Sequence, residues 1–591
     1  MTTAQTSPSP PSPAKKDPVN STVTTRTTST TARRARPAGR PGKVSFVGTG
    51  PGDPGLLTVR AVDLIRAAEV VIIESPAHRT LVDALRSGDS SGHTLGGELT
   101  VVEGGINDAG AVLTHAVRGR LVVKHARGGA HVVRLLAGDV LTHGTGPEEA
   151  QACRKAGLDV EVIPGVASAL AVPAYAGVPL TTRGSERFGV VRVDDNRRTD
   201  WTAYADDSTL VLLVAANADL MHTATAAAAG LVSAGRAAAT AVSVTRGGTT
   251  TAQTTTVSTL ADLGSDLGVA LADGPDPAES EPLTGDVVIV VGDNVELREQ
   301  LSWYETKPLF GWRVLVPRTK EQAGPLSEQL HGHGAVAEEV PTISVEPPRN
   351  PQQMDKAIRG LVEGRYEWVA FTSVNAVRAV REKFDEYGLD ARAFSGLKVA
   401  AVGEATADAI RTWGIRPDLV PSGEQSGRGL LEDWPPFDAV LDPINRVFLP
   451  RADIATETLM AGLQELGWEA EDVTAYRTVR AAPPPAPVRE AIKAGRFDAV
   501  VFTSSSTVRN LVGIAGKPHP STVIACIGPA TAKTAEEHGL RVDVLAESPT
   551  VEVLAEGLAD FGARRRMTAI EAGEPVTRPS ERRTPVRRKA T

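Results

Sequence analysis

Cysteine is almost missing from this sequence. Its 591 residues include two, Cys153 and Cys526, more than half the chain apart. A disulfide framework needs clustered pairs and a structural zinc site needs clustered thiolates or imidazoles, so both are excluded. That usage fits a reducing compartment, and a cytoplasmic location is expected. Long hydrophobic runs are missing too: no apolar stretch reaches the ~20 residues of a membrane span, so no membrane partner is expected. Arginines near the amino end, "TARRARPAGR", are not followed by an apolar segment, which argues against a secretory leader. Aromatics make up only 4% of the chain, with six tyrosines, so each tyrosine beside a motif gains weight.

Charge is unevenly spread. Residues 1–42 carry seven basic and one acidic residue, and residues 564–591 carry nine basic and three acidic. The net charge of the whole is −8, so the segment between the tails is strongly acidic. Both tails, 1–42 and 563–591, are rich in Ser, Thr, Pro or Arg and are expected to be disordered. An acidic centre argues against nucleic acid as the main ligand.

Between the tails the chain repeats itself. "GRYEWVAFTS" (364–373) returns as "GRFDAVVFTS" (495–504), "VAAVGEATADAI" (399–410) as "IACIGPATAKTA" (524–535), and "VLVPRTK" (314–320) as "VFLPRAD" (447–453). The offset stays near about 130 residues, the size of a small domain and far beyond a solenoid period. Two similar α/β lobes are expected in the second half. Each "FTS" ends an apolar strand, and "GEATA" and "GPATA" each open a helix, whose amino end attracts anions. The hydroxyls of Thr372, Ser373, Thr406, Thr503, Ser504 and Thr531 either cap helices or bind ligand. Arg318 and Arg451 hold corresponding places in the duplicate and suit carboxylate recognition, or else structural ion pairs.

The first half has another grammar. "KVSFVGTGPGDPGLLTVRAVDLIRAAEVVIIES" reads strand, Gly/Pro loop, helix from near Thr58, strand, as in a parallel sheet. Loops at the carboxyl ends of such strands are where ligands sit. The glycine spacing matches neither the dinucleotide fingerprint nor a P-loop.

Together with "AGDVLTHGTGPEEA" and "IPGVASALAVPAYAGVPLTTRG", this loop resembles the tetrapyrrole methylase family, in particular the uroporphyrinogen-III C-methyltransferases, over residues 43–305. The resemblance implies two α/β lobes that bind S-adenosylmethionine in their cleft, without metal, usually as a homodimer. It assigns Pro51, Ala137, Gly138, Asp139, Thr142, Ala167, Ser168, Val214 and Gly248 to the cofactor. Two departures stand out. Val140 replaces the proline of the family's Gly-Gly-Asp-Pro. Glu74 stands where most members carry the aspartate assigned as proton acceptor, while the lysine assigned as donor is missing: none occurs between Arg60 and Lys124. Lys124 replaces it only if the loops bring it to the cleft.

The duplicated half resembles uroporphyrinogen-III synthase, over residues 306–562. That implies two α/β lobes joined by a two-stranded hinge, one from about 312–344 plus 480–562 and the other from about 345–479. It further implies a linear tetrapyrrole substrate and a proton-donating role for Tyr476 in "AYRTV". The expected protein is a bifunctional enzyme. It would close hydroxymethylbilane to uroporphyrinogen III and methylate that product to precorrin-2. The alternatives are a synthase beside a methylase-like domain that has lost catalysis, and a hinged ligand-binding module.

Overall fold

The computed structural model describes residues 42–87, 99–106, 112–142, 146–193, 199–205, 209–215, 219–272, 286–318, 320–454 and 457–581. The chain divides into two compact units, Met1–Phe310 and Gly311–Thr591. Each contains two five-stranded sheets.

In the first unit, β1 (Lys43–Gly48), β2 (Val70–Ile73), β3 (Thr100–Glu103), β4 (His131–Leu136) and β5 (Asp159–Ile163) form a parallel sheet in the order β3-β2-β4-β1-β5. Helices cover both faces, which is why these strands read as unbroken apolar runs rather than alternating ones. Val44, Phe46, Val70 and Ile72 pack on one side with Leu121 and Val122. Val47, Val71 and Ile73 pack on the other with Leu64 and Ile65. Thr58 caps the helix Val59–Ala67 by accepting from the Ala61 amide, close to the helix start read from the sequence.

The second sheet of this unit contains β6 (Phe188–Val193), β7 (Thr209–Val214), β8 (Ala241–Arg246), β9 (Thr254–Thr259) and β10 (Val287–Val291), ordered β6-β7-β10-β8-β9. Only β6 and β7 are parallel; the other neighbours are antiparallel. The unit runs a few residues past 305, since Tyr304 packs edge-on against Phe310.

The second unit is the duplicated one. β11 (Arg313–Val316) and β12 (Val336–Glu339) lead off, followed by β13 (Ile343–Glu346), β14 (Trp368–Phe371), β15 (Lys398–Ala401), β16 (Arg446–Ala452), β17 (Glu469–Arg480), β18 (Ala499–Phe502), β19 (Val523–Cys526) and β20 (Val544–Leu545). The two sheets are β12-β11-β18-β19-β20 and β13-β17-β16-β14-β15. The chain crosses between them twice, entering at β13 and leaving at the end of β17. These two segments pair antiparallel, Ile343 opposite Arg480. This is the two-stranded connection expected near residues 344 and 480.

The carboxyl end departs from expectation. The tail read from residue 563 begins later, because the helix Val551–Glu571 continues through that point. Past the helix the chain folds back onto the first strand of its own unit. Arg578 Nη1 donates to Gly311 O, and the Ser580 amide donates to Asp498 Oδ1, whose other oxygen accepts from the Arg313 amide. Asp498 is fully buried, so these donors replace the water its carboxylate would otherwise need. Low apolar content did mark this segment as coreless. What the composition could not show is that a buried carboxylate ties it down. The remaining expected tails, 1–41 and 582–591, lie outside the described residues.

Candidate functional sites

In the first unit four loops converge at the carboxyl edges of the strands. Gly50 and Gly138 exchange backbone hydrogen bonds, joining the loops after β1 and β4. Asp139 ties in the loop after β5. One carboxylate oxygen accepts from the Leu141 and Thr142 amides and the Thr142 hydroxyl, and the other accepts from the Gly165 amide at 3.1 Å. Burial works against the Asp139 charge, but these donors outweigh it and hold the carboxyl below its usual range. Asp139 therefore shapes the cradle.

Gly138 is left-handed, φ +66°, which an L residue adopts only with strain. Gly165, which the sequence reading did not single out, is constrained differently. A Cβ there would lie 2.2 Å from Gly138 O and 2.8 Å from Gly48 Cα. Both neighbours are backbone, so neither yields without moving a loop. Gly165→Ala is expected to lower stability by about 1–3 kcal/mol through overpacking. Thermal unfolding of the two proteins measures it, and an unchanged midpoint would contradict the close approach.

The fourth loop follows β8. Thr249 sits at φ +66°, rare for a β-branched residue. It is held there from three sides: its amide donates to Gln253 Oε1, its carbonyl accepts from Tyr304 Oη, and its hydroxyl accepts from the Asp53 amide. That last bond joins "GPGD" to "RGGTTT", bringing Pro51 and Gly248 to one place. Ala167 and Ser168 begin the helix after β5, and the space beside Gly138 is bounded by the Ser168 hydroxyl. Ala137 and Thr142 are exposed at the rim. Val214 ends β7, 1% exposed in the core of the second sheet.

Glu74, just past β2, has a worked-out surrounding. Arg118 Nη1 donates to its Oε1 at 2.9 Å, and Arg134 Nη2 lies 3.8 Å from the same oxygen. Its Oε2 lies 3.5 Å from the Ala137 amide, on the cradle itself. Arg134 is fully buried and bonded twice to the buried Glu149, at 2.8 and 3.2 Å. Lys124, the expected substitute for the missing lysine, lies exposed on the helix His115–Ala126, and no described contact brings it to Glu74. Arg118 comes from the same helix and is 6% exposed. Its signal was an arginine placed in the helix's apolar stripe with Leu121 and Val122, three and four residues on.

His78 braces this corner. Its Nδ1 accepts from the Glu74 amide, so Nε2 carries the proton and donates to Thr49 Oγ1, which donates in turn to Leu136 O. Burial pushes its pKa from 6.5 down to about 4. The unfolded chain takes up this proton near 6.5 and the folded chain near 4, so acid favours unfolding. The shift corresponds to about 3 kcal/mol, present above the unfolded value and gone once pH falls through the folded one. Unfolding measured between pH 7 and 4 should show this loss, and His78→Gln should flatten it. Identical pH curves would contradict the buried neutral imidazole.

In the second unit the duplicated motifs build the same rim twice. After β14 the Ser373 hydroxyl caps the helix Val374–Tyr387, and after β18 the Ser504 hydroxyl caps Ser505–Ala515 in a capping box with Thr507. Thr372 and Thr503 are half-buried beside them. Gly403 and Gly528 open the helices Glu404–Thr412 and Pro529–Glu537 with no side-chain cap of their own. Thr406 and Thr531 are buried on those helices, 4% and 5% exposed. Main-chain amides are therefore the groups these two helix starts offer to a ligand.

Two further residues separate what the sequence treated alike. Arg451 is 7% exposed and grips Asp472 through two nitrogens. Arg318 is half-buried after β11, forms no ion pair among the described residues, and is held below the usual arginine range by burial. Tyr476 is 7% exposed on β17, and its hydroxyl lies 3.0 Å from Ser373 Oγ. The structure thus joins the candidate proton donor to one of the two repeated serines. The Ser373 oxygen also accepts from the Ala376 amide.

Among the described residues no helix is long and apolar enough to cross a membrane, and no group of three metal-ligating side chains occurs.

Comparison with known proteins follows this division. Residues 43–264 match the family model of the tetrapyrrole (corrin/porphyrin) methylases, and residues 324–556 match that of uroporphyrinogen-III synthase HemD. The porphyrin biosynthesis protein HemD of Ruminiclostridium josui is 28% identical over 530 residues, 88% of this chain and 98% of that protein. Siroheme synthase 2 of Aeromonas hydrophila is 33% identical over 267 residues, 44% of this chain; the chain spans about half of that relative, 51%. The crystal structure of uroporphyrin-III C-methyl transferase from Thermus thermophilus complexed with S-adenosyl homocysteine is 28% identical. It covers 43% of this chain and all of that one, with a TM-score of 0.33. The chain therefore joins two enzymes of tetrapyrrole biosynthesis, a tetrapyrrole methylase in its first unit and a uroporphyrinogen-III synthase in its second.

Proposed function

We propose that the second unit closes hydroxymethylbilane to uroporphyrinogen III and that the first unit methylates uroporphyrinogen III to precorrin-2. The observation that carries the synthase assignment is the Tyr476–Ser373 pair at the end of a rim built twice. The substrate bears eight carboxylates. Paired sets of hydroxyls and main-chain amides at helix starts grip carboxylates without a matching number of arginines. This reconciles an acidic protein with a polyanionic substrate. Arg318 adds one cation with no ion-pair partner among the described residues, whereas Arg451 would first have to release Asp472.

In ring closure the terminal carbon–hydroxyl bond breaks and water departs. Tyr476 supplies the proton that turns the departing hydroxide into water. The developing cation is balanced by the substrate's own carboxylates. The carbon freed of its hydroxyl bonds to the substituted α-carbon of the last pyrrole ring as a spirocycle. That ring's old bridge bond then breaks and re-forms at its free α-carbon, which inverts the ring and closes the macrocycle. The proton lost from that carbon replaces the one Tyr476 gave.

For the first unit, the fit to S-adenosylmethionine rests on the cradle. Gly48 and Gly165 leave no room for side chains of their own, Gly138 holds a left-handed backbone, and the rim offers main-chain groups of Ala137, Ala167, Ser168 and Gly248 beside Pro51 and Thr142. Bound there, S-adenosylmethionine supplies an electrophilic methyl group. Glu74 is the carboxylate at the edge of that cradle, placed to accept the proton that the methylated pyrrole carbon skeleton gives up. The cytoplasm is the expected location. A homodimer through this unit is part of the same reading, and the exposed Leu170, Leu301 and Trp303, at 46–49%, give it an apolar face.

The test of the synthase reading uses residues 306–581. A fragment ending at 562 would cut the helix Val551–Glu571 and strip the Ser580 bond from Asp498. The folded fragment is expected to yield the III isomer. Formation of only isomer I, the spontaneous product, would remove the assignment.

A further inference from the structure

The proton-handling pair assigned by resemblance is half missing in this chain, and the structure shows what occupies its place. Glu74 has one carboxylate oxygen on Arg118 and the other toward the Ala137 amide. Arg134 is near but committed. Its Nε and Nη2 are bonded to Glu149, and its Nη1 donates to Leu135 O. Of the two guanidinium groups, Arg118 is the one that makes a hydrogen bond to Glu74. Its side chain is 8% exposed against 26% for Glu74, so the carboxylate presents its open side and the guanidinium stands behind it.

Arg118 lies on the buried face of its helix with Gly119, Leu121, Val122 and Ala126. A guanidinium at such a position is strongly unfavourable unless paired and hydrogen-bonded. Salt bridges that only tie a surface together do not require that burial. Lysine is absent from the chain between Arg60 and Lys124, and Lys124 is exposed.

We propose that Arg118 is a positioning residue for methyl transfer: it fixes the Glu74 carboxylate and turns its second oxygen to the Ala137–Gly138 turn of the cofactor cradle. This rests on the methylase reading of the first unit. Arg118 acts through Glu74, so its effect depends on Glu74 being there. It belongs in kcat, because the carboxylate works after substrate and cofactor are bound.

The test is a double-mutant cycle on the full chain with uroporphyrinogen III and S-adenosylmethionine. Arg118→Gln is expected to lower kcat about tenfold or more, with KM and cofactor affinity held within about twofold. Arg118→Lys, which keeps the charge and loses the fork, should recover part of the rate. In a Glu74→Gln background, Arg118→Gln should cost little more. Losses that multiply in the double variant, or a raised KM at unchanged kcat, would overturn the proposal. Should Arg118→Gln not fold, Arg118→Lys with and without Glu74→Gln gives the same decision: a loss with Glu74 present and none without it. A parent chain that binds no S-adenosylmethionine fails differently, by removing the methylase reading itself.

Discussion

Glu74→Gln is expected to leave S-adenosylmethionine binding intact and to lower uroporphyrinogen methylation by about two to four orders of magnitude, the range for loss of a positioned base. The side chain does not build the cradle. The Gly50–Gly138 exchange, the Asp139 bonds and the Thr249–Asp53 bond hold the loops without it. Glutamine keeps the shape and can still accept from Arg118 through its amide oxygen. What it loses is the capacity to take a proton. Calorimetry with S-adenosylmethionine, run beside a methyl-transfer assay, separates the two effects. Wild-type turnover in the variant would mean that Glu74 is a structural partner of Arg118. Binding without methylation by the parent would favour a first unit that has lost catalysis.

Tyr476→Phe should slow ring closure by about ten- to a hundredfold, at or below the lower end for a general acid. The substitution removes one hydroxyl from a buried position and leaves the ring in its core. Ser373 then loses one partner but keeps the Ala376 amide, so the structural cost is about 1 kcal/mol and the unit stays folded. Turnover of hydroxymethylbilane by the folded variant is the measurement. Unchanged turnover would make the tyrosine a packing residue whose hydroxyl only satisfies Ser373.

What could be read from the sequence follows from how local each signal is. The strands "VVII" and "AVVF" and the helix start near Thr58 are short-range patterns, and the structure shows them where the residues put them; for Ser373 and Ser504, left open between capping and binding, it shows the cap. The duplication was legible because each copy repeats a whole strand–loop–helix segment. Non-local partnerships were not. Arg318 and Arg451 look equivalent in their repeats, yet Arg451 meets Asp472 from the neighbouring β17. Arg118 reaches Glu74 across 44 residues. The constraint on Gly165 is likewise non-local: only the approach of Gly48 and Gly138 shows why a Cβ cannot fit. The carboxyl-terminal segment looked coreless because its anchor, Asp498, lies about 80 residues earlier.

The most direct test of a two-enzyme chain is an anaerobic incubation of the full protein with hydroxymethylbilane, with and without S-adenosylmethionine, resolving uroporphyrinogens I and III and precorrin-2. The account predicts uroporphyrinogen III without the methyl donor and precorrin-2 with it. Isomer I alone in both reactions would contradict it.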